Sequence, residues 1–393
     1  MNAVSQPPTE PEFVQNPYGF YAKARAMGPV HFWNEYNMLA AFSHAEVTAV
    51  LKDRRFGREI PEELATDPAP HTAEFYKIEA HSMLELEPPR HTRLRGLVMR
   101  AFTSRRIKTL GPDITSLTHQ LIDDFPDGPF DLLPSFATQI PVVIICRLLG
   151  VPESMADELL KWSNAMVSMY MASRTHETEV AAAQASREFA DFIRSYVEEK
   201  RKTPGDDLLT ELIAAEEDGE KLSTDELITT CILLLNAGHE ATVHTFGNAI
   251  KCLLEHQTDH EFFADDKIDA TVEELIRFDP PLHMFTRYAY EDIEVAGHRL
   301  KRGDQIALLL GAANRDSLAW DTPERFDPSR PIKTNTAFGA GLHFCVGAPL
   351  ARLELRLALP ILFERCPNLV LAKQPEYANV YHFHGLKELL VTA

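Results

Sequence analysis

The chain has 393 residues, and its 58 Asp and Glu against 39 Lys and Arg leave a formal charge of -19, which repels a polyanion and makes nucleic acid a poor partner. Hydrophobic residues at 45 % beside 25 % charged residues describe a globular composition able to build a sizeable core, well clear of the disordered range. The cysteines Cys146, Cys231, Cys252, Cys345 and Cys366 are odd in number and form no Cys-x-x-Cys, which argues against a disulfide framework and against a zinc site.

From Met1 to Phe13 the chain is polar and Pro-containing, with neither a basic-then-apolar signal peptide nor the roughly 20 apolar residues of a membrane anchor. This reads as a cytoplasmic protein with a loose leader over residues 1–15. Asn16-Pro17 opens a short helix to Met27, Val30–Phe32 and Met38–Phe42 form a hairpin, and a second short helix starts at Ser43. Residues 56–88 are irregular and Pro-punctuated, longer than most connections, which favours a functional loop, one covering a pocket, rather than a simple tether. Helix signals dominate from His91 to about Glu255. The strongest is Ser223-x-x-Glu226, a capping box opening a helix of about 30 residues and roughly 45 Å. Another helix, Val272–Phe278, is stopped by Pro280-Pro281. Strand-like pieces follow at Arg287–Tyr290, Ile293–Ala296 and Gln305–Leu310, and a last helix spans Ala348–Glu364 with Pro349 in its first turn. With no repeat or linker, this is one mainly α domain, 1–393, with small β-sheets.

The densest chemical signal is Phe338-Gly339-Ala340-Gly341-Leu342-His343-Phe344-Cys345-Val346-Gly347, a glycine-rich loop delivering one cysteine to the start of a helix. Glycines allow unusual dihedrals and close approach of a flat ligand. The positive helix end and its free amides favour a thiolate, so Cys345 is primed as an anionic sulfur ligand. The competing reading is a glycine turn before an inert buried cysteine.

This loop resembles the haem-binding segment of the cytochrome P-450 superfamily, with Phe338, Gly341, Cys345 and Gly347 at the family's positions. The resemblance implies a single-domain P-450 fold, mainly α with small sheets, and haem b (iron protoporphyrin IX) ligated by the Cys345 thiolate, which favours O–O cleavage. Further segments agree. Glu274-Leu275-Ile276-Arg277 and, downstream, Pro323-Glu324-Arg325-Phe326 resemble the family's structural triad, assigned to Glu274, Arg277 and Arg325. Pro88-Pro89-Arg90-His91-Thr92-Arg93-Leu94-Arg95 resembles the segment that gives a histidine and an arginine to the haem propionates. By resemblance Arg287 and His343 complete that shell, with Gly339 and Ala237 also against the cofactor.

Ala237-Gly238-His239-Glu240-Ala241-Thr242 matches the family's oxygen-activating stretch, in which Glu240 relays protons and Gly238 opens the helix beside dioxygen. Gly238 as a small residue easing helix packing remains the alternative. The family commonly has threonine right after the acid; here Ala241 stands there and Thr242 follows. One residue turns a side chain by about 100°, so Thr242 supplies the missing hydroxyl only if the helix distorts. Help from a substrate hydroxyl is the other source.

The implied activity is monooxygenation of a mostly apolar small-to-medium organic substrate with O2 and two electrons from separate ferredoxin and ferredoxin reductase, by a monomer. Pocket candidates by resemblance are the 56–88 loop, Met166–Met171, Leu234, His283, Met284, Phe285, His382 and Phe383. From Pro88 to Pro112 the chain carries no acid but Arg90, Arg93, Arg95, Arg100, Arg105, Arg106 and Lys108. Joined by Arg352, this patch suits an acidic electron donor; a solvated helix face is the bland reading. Two rivals stand: a peroxide-driven or isomerising haem-thiolate enzyme, which Ala241 encourages, and a non-catalytic haem sensor or carrier.

Overall fold

The computed structural model describes residues 3–171, 174–217, 222–381 and 383–393. The expected long helix runs Thr224–Glu255, 32 residues, behind a capping box: Ser223 Oγ accepts from the Glu226 amide, and the Glu226 carboxylate accepts from the Ser223 amide. At 1.5 Å per residue it extends about 48 Å. Helix Gln139–Leu149 packs against it and is apolar almost all round, burying Ile140 through Cys146, as an inner helix must. Helices Ala156–Val167 and His176–Lys202 cover another side. Helix Ala348–Arg365 packs on Gly111–Asp123 and on Ile268–Phe278. One continuous hydrophobic cluster joins these helices.

A six-stranded sheet lies beside the helices in the order Ala3–Val4, Val30–Trp33, Met38–Ala41, Gln305–Leu309, Met284–Ala289, Phe56–Gly57. Leu39 faces Ile306 in its one internal parallel pair, and Met284 faces Leu309 antiparallel. This register sets Arg287 opposite Ile306. The sheet's two faces bury separate clusters, one around Val47, Leu51, Ala289 and Leu308 and one around Tyr21, Trp33, Phe42 and Met284.

Three expectations change. The leader is not loose: Ala3 and Val4 pair in parallel with Phe32 and Trp33, Trp33 Nε1 donates to the Gln6 carbonyl at 2.9 Å, and Phe13 and Val14 are buried. Residues 56–88 are not simply irregular, since strand Phe56–Gly57 and helix Ala73–Glu79 lie within them. The third difference is an unforeseen strand, His298–Leu300, joined to Ile293–Val295 by Ala296 and Gly297 at φ 49 and 80, the two positive dihedrals that a tight hairpin turn requires.

Candidate functional site

The cysteine loop is fixed at both ends by hydrogen bonds. Asn314 Oδ1 accepts from the Thr336 amide and hydroxyl, both at 2.8 Å, the Gly339 amide donates to the Thr336 carbonyl at 2.8 Å, and the Cys345 amide donates to the Phe338 carbonyl at 3.0 Å. Gly339 and Gly341 both sit at φ +69, the left-handed region that glycine enters without cost. Cys345 stands just ahead of helix Ala348–Arg365, with its sulfur accepting from the Gly347 and Ala348 amides. Solvent reaches part of the residue, yet protein atoms crowd the sulfur. Burial pushes the thiol up, and the two amides with the Arg95 and Arg352 charges pull it down without cancelling that effect. A preformed thiolate is therefore not what the protein alone provides; the anion arises when a metal takes the place of the proton.

Beside the sulfur lies a cationic cradle. His91 and Arg95 share one face of helix Arg90–Ala101. The His91 ring is buried 4.4 Å from that of His343, its Nδ1 has no hydrogen-bond partner among the described residues, and burial, with His343 and Arg95 nearby, pushes its pKa down to about 4. Arg95 Nη2 donates to the Phe344 carbonyl at 2.7 Å, tying this helix to the cysteine loop. Arg287 is buried and donates to the Thr286 carbonyl at 2.8 Å; burial and the neighbouring Arg58 guanidinium lower it to about 10. His343 Nε2 lies 2.8 Å from Glu87 Oε1. Arg58, paired with Glu85 and carrying a buried Nε without a partner among the described residues, belongs to this cluster and was missed in the sequence, where a single arginine after Gly57 gives no signal. The buried Arg287 and half-buried Arg95 guanidiniums, both directed at carbonyls, leave positive charge that a dianionic ligand would balance, and the neutral His91 ring keeps a nitrogen to hydrogen-bond it.

The cytochrome P450 family model matches residues 45–261 and 268–378. The chain belongs to the cytochrome P450 family. Among curated relatives, the polyketide biosynthesis cytochrome P450 PksS of Bacillus subtilis is 35 % identical over 97 % of this chain and 96 % of its own length. The vitamin D(3) 25-hydroxylase of Pseudonocardia autotrophica is 38 % identical over 92 % of this chain and 89 % of its own. Among solved structures, P450BioI in complex with an acyl carrier protein ligated to hexadec-9Z-enoic acid superposes with a TM-score of 0.91 at 31 % identity, covering 98 % of this chain and 100 % of that one. The protein is thus a P450 monooxygenase of bacterial type, and the family brings haem held by a cysteine thiolate. The half-buried thiol, its amide donors and the cationic cradle fit that group.

In this P450 the buried ion network departs from its expected membership. Arg277 makes a bidentate pair with Glu274 at 2.7 Å on both arms, each side chain 1 % exposed, and also donates to the Asn314 and Pro323 carbonyls. The third member, and second cation, is Arg330, whose Nε donates to Glu274 Oε2 at 3.1 Å. Arg325 is exposed and meets Arg277 only through its carbonyl, at 3.4 Å. The network anchors the segment leading into the cysteine loop.

The long helix of the P450 is continuous through Gly238, so no local bulge forms there. A Cβ on Gly238 would stand 2.9 Å from Ile145 Cγ1, so this glycine lets the two helices pack closely. Ala237 is exposed and Ala241, one turn on along the same face, is half-buried. Thr242 is buried off that face, and Thr245 Oγ1 donates to the Ala241 carbonyl at 2.7 Å. Glu240 is half-buried, with His244 Nε2 3.8 Å from its Oε1.

Of the pocket candidates, Phe285 lies against Gly339, 3.3 Å from where that residue's Cβ would be, and beneath the Arg287 guanidinium. Leu234 is buried, and Phe383 bridges to Leu282 with its ring 6.1 Å from His244. His283 and Met284 are corrections. His283 is fully buried with Nδ1 2.9 Å from the Tyr21 hydroxyl, and Met284 belongs to the aromatic cluster of the sheet. Met166 is core as well, touched by Asn236. His382 lies outside the described residues. Several members of the basic patch are paired: Arg90 with Glu59, Arg93 with Glu226, Arg106 with Asp206 and Glu211, and Arg352 with Glu273.

Proposed function

We propose that this P450 binds iron protoporphyrin IX through the Cys345 thiolate, and oxidises a mostly apolar organic substrate with O2 and two electrons from a separate ferredoxin and ferredoxin reductase. The observation that carries the reading is the convergence of the amide-capped sulfur of Cys345 with the buried Arg287 and half-buried Arg95 guanidiniums and the paired His91 and His343 rings. When bound, thiolate-ligated haem iron supplies O–O cleavage.

The chain's own residues have separable tasks. Arg95, Arg287, His91 and His343 bind the propionates, and an acid–base match in a buried site fixes orientation better than it adds affinity. Phe338 and Phe285 cover the cysteine side, with Arg352 over the Phe338 ring at 4.5 Å. Ala237 and Ala241 present small side chains where the substrate and dioxygen meet the helix. Glu240 carries the proton, and the His244 imidazole beside it is placed to share that proton. With Thr242 off the face and the helix undistorted, a hydroxyl of the substrate supplies the contact that Ala241 lacks.

The named relatives, a polyketide biosynthesis enzyme and a vitamin D(3) hydroxylase, support an apolar substrate of medium size. No helix among the described residues is long and apolar enough to cross a membrane, which suits donors met in solution. The reading is tested by the reduced, carbon-monoxide-bound spectrum of wild type and of Cys345→Ser, followed by turnover with a ferredoxin system. A red-shifted thiolate band present only in wild type and product with the ferredoxin system support it. Identical spectra remove Cys345 as ligand. Turnover with peroxide alone selects the peroxide-driven reading, to which Ala241 also lends support.

A further inference from the structure

Away from the residues assigned to the cofactor, two imidazoles and a carboxylate from distant parts of the chain meet. His71 lies in the short turn Pro70–Thr72 inside the 56–88 segment, while His176 and Glu179 share a face in the first turn of helix His176–Lys202. One ligand atom from each lies within 4.8 Å of the others. His71 Nε2 is 2.6 Å from Glu179 Oε2, the two imidazole rings are 4.4 Å apart, edge to face, and Arg174 Nε holds the other carboxylate oxygen, Oε1, at 2.9 Å.

We propose that His71, His176 and Glu179 form a binding site for a divalent transition metal, best suited to Zn2+, which staples the 56–88 segment to helix His176–Lys202. Two histidines and one carboxylate with water in the fourth position are a donor set that zinc uses. Tetrahedral bonds of about 2.0–2.1 Å place donors roughly 3.3 Å apart, so the metal displaces the His71–Glu179 hydrogen bond and the rings need only side-chain rotation to close.

Both backbones are fixed before any metal arrives. The Thr72 amide and hydroxyl each donate to the Ala69 carbonyl at 2.8 Å, and Thr175 and Thr178 cap one another at the helix start. Arg174 orients the carboxylate through Oε1 and leaves Oε2 to the metal, the part that an outer hydrogen-bond partner plays in metal sites. Its charge and the positive helix end oppose a cation, so they set the affinity without removing the donors.

The staple matters because the 56–88 segment starts and ends at the cofactor cradle. Arg58 and Glu87 meet through the Arg58 amide at 2.8 Å, and Glu87 reaches His343. A metal at residue 71 would therefore hold the middle of a segment whose two ends already touch the site.

The test uses the haem-loaded protein, so that Cys345 is not offered to zinc. Zn2+ is titrated by calorimetry against a chelator of known affinity into wild type, His71→Gln, His176→Gln and Arg174→Gln, each checked for an unchanged haem spectrum. One saturable site is expected, weakened at least tenfold in either histidine variant and tightened in Arg174→Gln, with slower amide hydrogen exchange over residues 56–88 once zinc is bound. Should a histidine variant lose its haem, Glu179→Gln replaces it, since that change keeps the shape of the side chain. Zinc binding of equal affinity in wild type and the double variant His71→Gln/His176→Gln, or no saturable site in wild type, overturns the site. Binding that leaves exchange over 56–88 unchanged overturns the staple.

Discussion

Gly341 lies so close to Leu51 that a Cβ on the glycine would stand 2.4 Å from the Leu51 carbonyl oxygen. This is a backbone-to-backbone contact between the cysteine loop and the end of helix His44–Lys52, and neither side can swing away as a flexible side chain would. Gly341→Ala combines that collision with a left-handed φ of +69, which costs a residue with a Cβ roughly 1–2 kcal/mol by itself. The cysteine loop should then shift and haem retention fall sharply, read as haem absorbance per mole of protein. Gly347→Ala is the control. Its φ is -77 and its Cβ would sit at an ordinary 3.8 Å from the Cys345 sulfur, so it should keep most of its haem. Equal retention in both variants would show that the contact with Leu51 does not hold the loop.

The Glu274 carboxylate serves two cations and the Asp327 amide, at 2.9 Å, in a buried setting. Removing one partner of a buried pair leaves an uncompensated charge and costs about 3–5 kcal/mol. Glu274→Ala, which strands Arg277, should destabilise the haem-loaded protein by that amount in denaturant unfolding. Arg330→Ala should cost less, because Glu274 keeps the bidentate Arg277. Arg325→Ala, with an exposed side chain outside the network, should stay within about 0.5 kcal/mol. A larger loss in Arg325→Ala than in Arg330→Ala would reverse this assignment.

The legible parts of the molecule are those in which neighbouring residues dictate local geometry. The Ser223 and Glu226 box announces the long helix, and paired glycines around Cys345 announce a loop whose dihedrals only glycine tolerates comfortably. What stayed hidden depends on partners far along the chain. Arg325 and Arg330 are five apart in one loop, and only the folded backbone decides which guanidinium reaches Glu274. The strand at Ala3–Val4 needs Phe32 and Trp33 to exist, and Arg93 loses its free charge to Glu226, 133 residues away. His283, read as a pocket polar group, follows the sheet into a buried cluster with Tyr21 and His384.

That cluster makes His384 a source of acid sensitivity. The ring is buried, stacked on Tyr377 at 3.7 Å, with Nε2 3.6 Å from Asp279 Oδ1. Burial lowers its pKa from 6.5 to about 4, against the pull of Asp279. The native state thus keeps the ring neutral where the unfolded chain already binds a proton. The stabilising contribution is whole above pH 6.5 and is lost as pH falls toward 4, at about 1.4 kcal/mol per pH unit and on the order of 3 kcal/mol in total. His384→Gln should flatten the decline in unfolding free energy between pH 6.5 and 4.5 relative to wild type. An unchanged slope would place the acid sensitivity elsewhere.

In the function proposed above, Ala241 makes proton delivery depend on something outside the protein. Its side chain offers no hydroxyl, its carbonyl is occupied by Thr245, and Thr242 faces away from the Ala237–Ala241 side of an unbroken helix. Under that proposal Glu240, with His244 Nε2 3.8 Å from its Oε1, brings the proton close, and the final contact would fall to the substrate. Ala241→Thr should therefore raise the product formed per electron several-fold for substrates without a hydroxyl near the oxidised carbon, and lower the hydrogen peroxide released in proportion. For substrates that carry such a hydroxyl the gain should be small, because the added threonine competes with a contact already made. Measuring product, peroxide and reductant consumed for a matched pair of substrates separates the two cases. The same improvement for both members of the pair would show that the hydroxyl was missing throughout and that substrate assistance plays no part.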